Sequence, residues 1–121
     1  MSKILLIDDD VELRALLKLT LERAGHSVTE ANNGHQGMAY FKESPADLVI
    51  TDIVMPEQEG IETIYRMQKD YPDLPIIAIS AYWQKGQNYL QYAEKLGVSH
   101  ALKKPIAPEA LLACVDEALG N

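Results

Sequence analysis

The chain alternates between two patterns of hydrophobic and polar positions. Short uninterrupted apolar runs predict strands buried on both faces, and longer segments with apolar residues three or four positions apart predict helices that cover a core with one side. Five strands are predicted, in the segments 3–7, 26–31, 47–52, 75–80 and 99–103. Five helices are predicted between and after them, in the segments 11–24, 32–44, 60–72, 87–96 and 108–119.

The first predicted helix has recognisable signals at both ends. Asp10 is the expected N-cap, because a short polar side chain there can accept a hydrogen bond from a free backbone N–H of the first turn, and Gly25 is the expected stop. The apolar face that should pack on the core is formed by Leu13, Leu16, Leu17, Leu21 and Ala24. The charged residues of this helix are expected to form an ordinary solvated face.

A helix follows every predicted strand. Strands this apolar need cover on both faces, and right-handed crossovers place helices on both sides of one sheet. We therefore expect an α/β fold with a doubly wound, mainly parallel sheet of five strands and five helices. In such sheets the functional residues lie just beyond the carboxyl ends of the strands, near a switch in strand order.

Residues that suit a reactive site follow four of the five predicted strands. Asp8, Asp9 and Asp10 come directly after the first strand, Asp52 ends the third, Ser80 ends the fourth, and Lys103 and Lys104 lie at the end of the fifth. Taken singly, each is more often a turn former, a helix cap or a solvated side chain. Because the carboxyl ends of parallel strands share one edge of the sheet, these residues are expected to meet in space.

This set of carboxylates, a hydroxyl and an ammonium suits magnesium-assisted transfer of a phosphoryl group onto a carboxylate. Mg2+ prefers oxygen ligands and would neutralise the cluster of Asp8, Asp9 and Asp52, leaving one aspartate oxygen free to attack phosphorus. Phosphoryl transfer requires mainly positioning and charge neutralisation. Lys104 would pair with one phosphoryl oxygen, and the Ser80 hydroxyl would donate to another.

Four short motifs make the chain resemble the receiver domains of two-component response regulators (the CheY-like family) over essentially all 121 residues. They are the DD pair at Asp8–Asp9, the segment DIVMPEQEG from Asp52 to Gly60, SA at Ser80–Ala81 and KP at Lys104–Pro105. Each motif is weak alone, but their order on the proper strand ends is highly specific. The resemblance implies a flavodoxin-like (βα)5 fold with strand order 2-1-3-4-5.

The resemblance also implies a role for each residue of the site. Asp52 would be the phosphoacceptor. Asp9 would bind Mg2+ directly, Asp8 through water and Val54 through its backbone carbonyl, with Mn2+ able to substitute. Ser80 would be the switch hydroxyl and Lys104 the lysine that contacts phosphate. A cis Lys104–Pro105 peptide bond is expected to aim the lysine amine at Asp52.

Partners follow from the same resemblance. The phosphoryl donor would be a phosphohistidine on a sensor histidine kinase or on a histidine phosphotransfer protein. We expect a downstream protein to bind the face formed by the fourth helix, the fifth strand and the last helix. We also expect that phosphorylation is linked to formation of a homodimer. Three positions depart from the family pattern: Ala101 replaces the usual switch aromatic, Ile106 replaces the usual aromatic after Lys-Pro, and Ala107 is a poorer helix N-cap than the usual acidic or hydroxyl residue.

Composition bounds these expectations. A chain of 121 residues is expected to form one domain, residues 1–121. The net charge of -7 argues against a nucleic-acid-binding surface, which needs a basic stripe. A single cysteine, Cys114, excludes an internal disulfide and fits the reducing cytoplasm. The apolar run after the first three residues is too short for a signal peptide or a membrane span.

Two other functions remain open on the sequence. A hydrolase of the aspartyl-phosphatase kind also uses a strand-end aspartate with an acid two residues later, as Asp8 and Asp10 offer, but its pattern wants a threonine where this chain has Glu12. A binding module that keeps the fold without the phosphorylation chemistry is the other alternative. We expect a signalling domain, not an enzyme with a separate substrate, that catalyses only its own phosphotransfer and dephosphorylation.

Overall fold

The computed structural model of the chain describes residues 2–53, 59–80, 83–84, 87–88, 95 and 97–120. Its strands are β1 (Lys3–Ile7), β2 (Ser27–Ala31), β3 (Leu48–Asp52), β4 (Ile76–Ser80), β5 (Trp83–Gln84), β6 (Gln87–Asn88) and β7 (His100–Lys103). Its helices are α1 (Val11–Arg23), α2 (Gly34–Glu43), α3 (Glu59–Asp70) and α4 (Pro108–Ala118). In the described ranges, no helix is long and apolar enough to cross a membrane.

Five of the strands form one parallel sheet in the order β2-β1-β3-β4-β7. With β7 as the fifth strand of the predicted sheet, this is the order 2-1-3-4-5, and the expected doubly wound α/β fold is confirmed. The order reverses between β1 and β3, which places the carboxyl end of β1 beside the carboxyl end of β3. That edge is the one where a doubly wound sheet is expected to carry its site.

The sheet separates two hydrophobic clusters, because successive residues of a strand face opposite sides. On one side, residues of α2 and α3 such as Phe41 and Ile64 pack against Leu5 and Val49. On the other side, residues of α1 and α4 pack against the alternate strand positions, as the fully buried Leu21 and Val115 illustrate. Every position of β3 and β4 is buried, so these two central strands are covered on both faces.

Helix α1 begins as predicted. The carboxylate of Asp10 accepts a hydrogen bond from the backbone N–H of Leu13 at 3.1 Å, so Asp10 is its N-cap. Its buried stripe includes Leu17 and Leu21, but Leu16 is 55% exposed, so the prediction that Leu16 faces the core is wrong. At 100° per residue, Leu16 lies about 60° to one side of Leu13, outside the stripe that the sheet covers.

The predicted solvated face of α1 is also wrong at one position. Arg14 lies on the other flank of the leucine stripe and is only 9% exposed. A buried guanidinium requires hydrogen-bond partners, and Arg14 finds them in β2 and in the loops that follow β1 and β2.

The predicted fourth helix, 87–96, falls mostly on residues outside the described ranges. Its first two residues form β6, which pairs antiparallel with β5 through Trp83 opposite Asn88 and Gln84 opposite Gln87. Lys95 is helical. The last helix, α4, begins at Pro108, and its N-cap Ala107 makes no side-chain cap hydrogen bond, in agreement with the weak N-cap expected there.

Candidate functional site

The carboxyl ends of the neighbouring strands bring the predicted site residues to one edge of the sheet. Asp8 follows β1, Asp52 ends β3, Ser80 ends β4 and Lys104 follows β7. Asp52 pairs with Ile79 in the ladder, so Ser80 lies one residue beyond the partner of Asp52. Ser80 is fully buried. The predicted metal ligand Val54 and Ala81, which follows Ser80, lie outside the described residues.

Three carboxylates meet at this edge. One oxygen from each of Asp8, Asp9 and Asp52 can be chosen so that all three lie within 4.8 Å of one another. Asp8 is fully buried, Asp52 is nearly so, and Asp9 is exposed, which leaves the cluster open to solvent on the Asp9 side. The Oδ1 atom of Asp8 accepts a hydrogen bond from the backbone N–H of Asp10 at 2.9 Å. Like charges this close repel, so the cluster needs a cation.

Lys104 supplies part of that positive charge. Its Nζ atom lies 2.8 Å from Oδ2 of Asp52 and 2.9 Å from Oδ2 of Asp8, and its side chain is 13% exposed. The Lys104–Pro105 peptide bond is cis, which confirms that prediction. Burial lowers the pKa of Lys104, but the contacts with Asp52 and Asp8 outweigh burial, and the pKa is raised above the ordinary value of 10.5.

This raised pKa predicts a loss of stability in strong base. Below pH 10.5 the lysine is protonated in the folded and unfolded chains alike, so its stabilising effect is fully present. As the pH rises, the unfolded chain releases the proton first. The stabilisation is then lost as the pH passes through the higher pKa that Lys104 has in the folded chain. In urea unfolding between about pH 10 and about pH 12, the free energy of wild type should fall toward that of Lys104→Met. A constant difference would contradict this assignment, and Lys103→Met should follow wild type.

The donor set fits a hard divalent cation. The Lys104 ammonium compensates charge at Asp8 Oδ2, but this buried oxygen accepts no well-directed hydrogen bond within the described ranges. With Asp9 and Asp52, it offers three carboxylate oxygens and no soft ligand, which is the chemistry that Mg2+ and Mn2+ prefer. One ammonium against three carboxylates leaves an excess of negative charge that a second cation would remove.

Sequence reasoning missed Arg14 as a residue of this region. Its Nη1 atom donates to the backbone carbonyl of Asp8 at 2.7 Å and also to Oδ1 of Asn32. Its Nε atom donates to Oε1 of Glu30 at 3.0 Å. The helical spacing gives a partial indication that Arg14 is buried. Arg14 follows Leu13, so it lies at one edge of the buried leucine stripe of α1. The spacing alone does not show which edge of that stripe packs against the rest of the protein.

Comparison with known proteins agrees with this fold. The family model described as "Response regulator receiver domain" matches residues 4–116. The chain is 34% identical to a Chemotaxis protein CheY homolog of Campylobacter jejuni over 98% of this chain and 93% of that protein. It is 35% identical to the Transcriptional regulatory protein GlrR of Escherichia coli over 98% of this chain, but it spans only 26% of the length of that protein.

A solved structure shows the same architecture. The crystal structure of a response regulator receiver domain protein from Clostridium thermocellum superposes with a TM-score of 0.90 at 28% identity, covering 99% of this chain and 95% of that chain. The matched family model covers nearly the whole chain, and the superposition agrees with the observed sheet. The chain therefore belongs to the response regulator receiver domain family, whose members are phosphoacceptor domains of two-component signalling.

Proposed function

We propose that Asp52 is the phosphoacceptor of this receiver domain. The observation that carries this proposal is the double contact of the Lys104 ammonium with Asp52 and Asp8 at the carboxyl edge of the sheet. An Asp52 oxygen attacks the phosphorus of a phosphohistidine, the new O–P bond forms as the N–P bond breaks, and the histidine nitrogen leaves with the electron pair. Asp52 suits this role because it is the last residue of the central strand β3 and pairs with Ile79 of β4.

Lys104 changes partner during this reaction. Before transfer its ammonium pairs with the Asp52 carboxylate, and afterwards it pairs with an oxygen of the phosphoryl group on the same residue. The contact with Asp8 keeps the ammonium at the site in both states. The Ser80 hydroxyl donates to another phosphoryl oxygen through a charge-assisted hydrogen bond.

Asp8, Asp9 and Asp52, with the backbone carbonyl of Val54, are the residues that would hold Mg2+ or Mn2+. When bound, the cation neutralises the carboxylates and the charge on the phosphoryl oxygens. The chain's own contribution is to hold three oxygen ligands at a solvent-open edge, with one of them, Asp52, also serving as the nucleophile. The same groups catalyse dephosphorylation of the domain itself.

We further propose that residues 1–121 form a single receiver domain that signals by protein contact in the cytoplasm. The phosphoryl donor is a sensor histidine kinase or a histidine phosphotransfer protein. The output surface comprises β7, which is an edge strand of the sheet, together with α4 and the predicted helix 87–96. This surface serves either a downstream protein or a second phosphorylated copy. The acidic net charge of -7 gives no support to nucleic-acid or membrane binding through this domain.

Labelling with acetyl phosphate tests this proposal. Wild type with millimolar Mg2+ should gain a single phosphoryl group by intact-mass spectrometry, Asp52→Asn should gain none, and the exposed Asp116→Asn should label like wild type. Removing Mg2+ with a chelator should prevent labelling. Continuous release of phosphate without accumulated label would favour the hydrolase alternative. A wild-type chain that is never labelled would favour the unphosphorylated binding module.

A further inference from the structure

Arg14 is a buried cation, and one of its hydrogen bonds reaches the loop that carries the metal-site acids. Its Nη1 atom donates to the Asp8 carbonyl at 2.7 Å, to Oδ1 of Asn32, and more weakly to the Ala31 carbonyl at 3.4 Å. Its Nε atom donates to Oε1 of Glu30 at 3.0 Å. The guanidinium therefore links α1 to the end of β1, to β2 and to the loop after β2, without lying among the carboxylates of the site.

Asp8 is held through both of its backbone groups. Its N–H donates to the Ala31 carbonyl at 3.1 Å, and its carbonyl accepts the hydrogen bond from Arg14. That carbonyl belongs to the peptide unit that joins Asp8 to Asp9, and a peptide unit is planar and rigid. Fixing its orientation therefore restricts the directions in which the Cα–Cβ bonds of Asp8 and Asp9 leave the backbone.

We propose that Arg14 is a positioning residue for the metal site. Its guanidinium orients the Asp8–Asp9 peptide, so that the two carboxylates are arranged for a divalent cation before the cation arrives. This inference rests on the proposed function of the site and adds to it a residue that contacts neither the cation nor the phosphoryl group. Arginine suits the task because its planar guanidinium donates to several acceptors at once, which the ammonium of a lysine cannot reproduce in the same geometry.

A role through charge and a role through positioning predict opposite effects of removing Arg14 on the affinity for Mg2+. A nearby cation repels Mg2+, so a residue that acted only through its charge would weaken binding, and its neutral replacement would strengthen it. A residue that only stabilised the fold would lower the melting temperature and leave the affinity of the folded protein unchanged. A positioning residue raises affinity, so its loss should weaken binding, and partners that orient metal ligands typically contribute about tenfold or more.

Isothermal titration calorimetry with MgCl2 separates these roles. Arg14→Met should raise the dissociation constant about tenfold, and Arg14→Lys, which keeps the charge, should raise it about threefold or more. Lys18→Met is the matched control, because it removes the same charge from the same helix. Lys18 contacts the other oxygen of Glu30 at 3.5 Å, not the Asp8 carbonyl. The dissociation constant of the Lys18→Met variant for Mg2+ should stay within about twofold of the wild-type value.

The outcomes distinguish this inference from the proposed function. Folded Arg14 variants that bind Mg2+ as tightly as wild type, or more tightly, would overturn the positioning role. If Arg14→Met does not fold, wild-type affinity in Arg14→Lys would overturn it equally. A wild-type chain that binds no Mg2+ would refute the proposed metal site as well. A wild-type chain that binds Mg2+ and is phosphorylated, with an affinity insensitive to Arg14, would refute only the role of Arg14.

Discussion

Replacing Lys104 with methionine should lower the unfolding free energy of the metal-free protein by about 3 to 5 kcal/mol. The Asp8 side chain is fully buried and that of Asp52 is 6% exposed, and the Lys104 ammonium lies within 3 Å of both. Removing one partner of a buried ion pair leaves charge that neither water nor protein compensates. Here one substitution would remove the ammonium from two buried carboxylates at once, with the exposed Asp9 adding to their repulsion.

Urea unfolding in the presence of a chelator measures this effect. Lys103→Met provides the matched control, because it makes the same charge change at the neighbouring exposed position and should cost less than about 1 kcal/mol. Millimolar Mg2+ should restore much of the stability of Lys104→Met, since a cation that binds only the folded state stabilises it by mass action. A metal-free Lys104→Met protein within about 1 kcal/mol of wild type would show that the ion pair contributes little.

Replacing Gly60 with alanine should lower the unfolding free energy by about 2 to 3 kcal/mol. Gly60 lies in the first turn of α3, and a Cβ atom there would lie 2.3 Å from the Asp52 carbonyl oxygen and 2.5 Å from Cα of Ile53. These neighbours are backbone atoms, so relief requires α3 to move away from the end of β3. The added Cβ also presses directly on the Asp52 backbone, so Gly60→Ala should weaken Mg2+ binding. Millimolar Mg2+ should then raise the melting temperature of Gly60→Ala less than that of wild type.

Gly37, within α2, provides an informative contrast. A Cβ atom at Gly37 would meet Cδ1 of Ile7 at 2.4 Å and Cγ1 at 2.9 Å, which are side-chain atoms. Alanine also gains about 1 kcal/mol over glycine in a helix. Gly37→Ala should therefore cost less than Gly60→Ala, and combining it with Ile7→Val, which removes Cδ1, should recover part of the cost. Equal losses at Gly37 and Gly60 would contradict the distinction between side-chain and backbone neighbours.

Local patterns in the sequence predicted most of the fold for a physical reason. A strand covered on both faces must be apolar throughout, so β3 and β4 are visible as apolar runs. A helix start needs an acceptor for its free N–H groups, so Asp10 is visible as a cap. The predicted site residues were identifiable because the carboxyl ends of parallel strands share one edge.

The features that the sequence did not predict depend on contacts between distant segments. Leu16 and Arg14 lie on opposite flanks of the apolar stripe of α1, and only the position of β2 decides that Arg14 is covered and Leu16 exposed. The second partner of Lys104 is a similar case. Its contact with Asp8 arises because the sheet order places β1 beside β3, and no local pattern shows which carboxylates one amine will reach.

The backbone N–H of Lys104 donates to the Ser80 carbonyl at 2.8 Å, which extends the ladder between β4 and β7 by one rung beyond the last strand residue. Ser80 and Lys104, the two residues proposed to contact the phosphoryl group, therefore lie on adjoining main-chain segments. These segments cannot shift independently without breaking that hydrogen bond. A displacement of Ser80 toward phosphate would carry the start of the segment after β7 with it. The Lys104 amide is consequently a single NMR probe, because its chemical shift and hydrogen exchange depend on the positions of both Ser80 and Lys104.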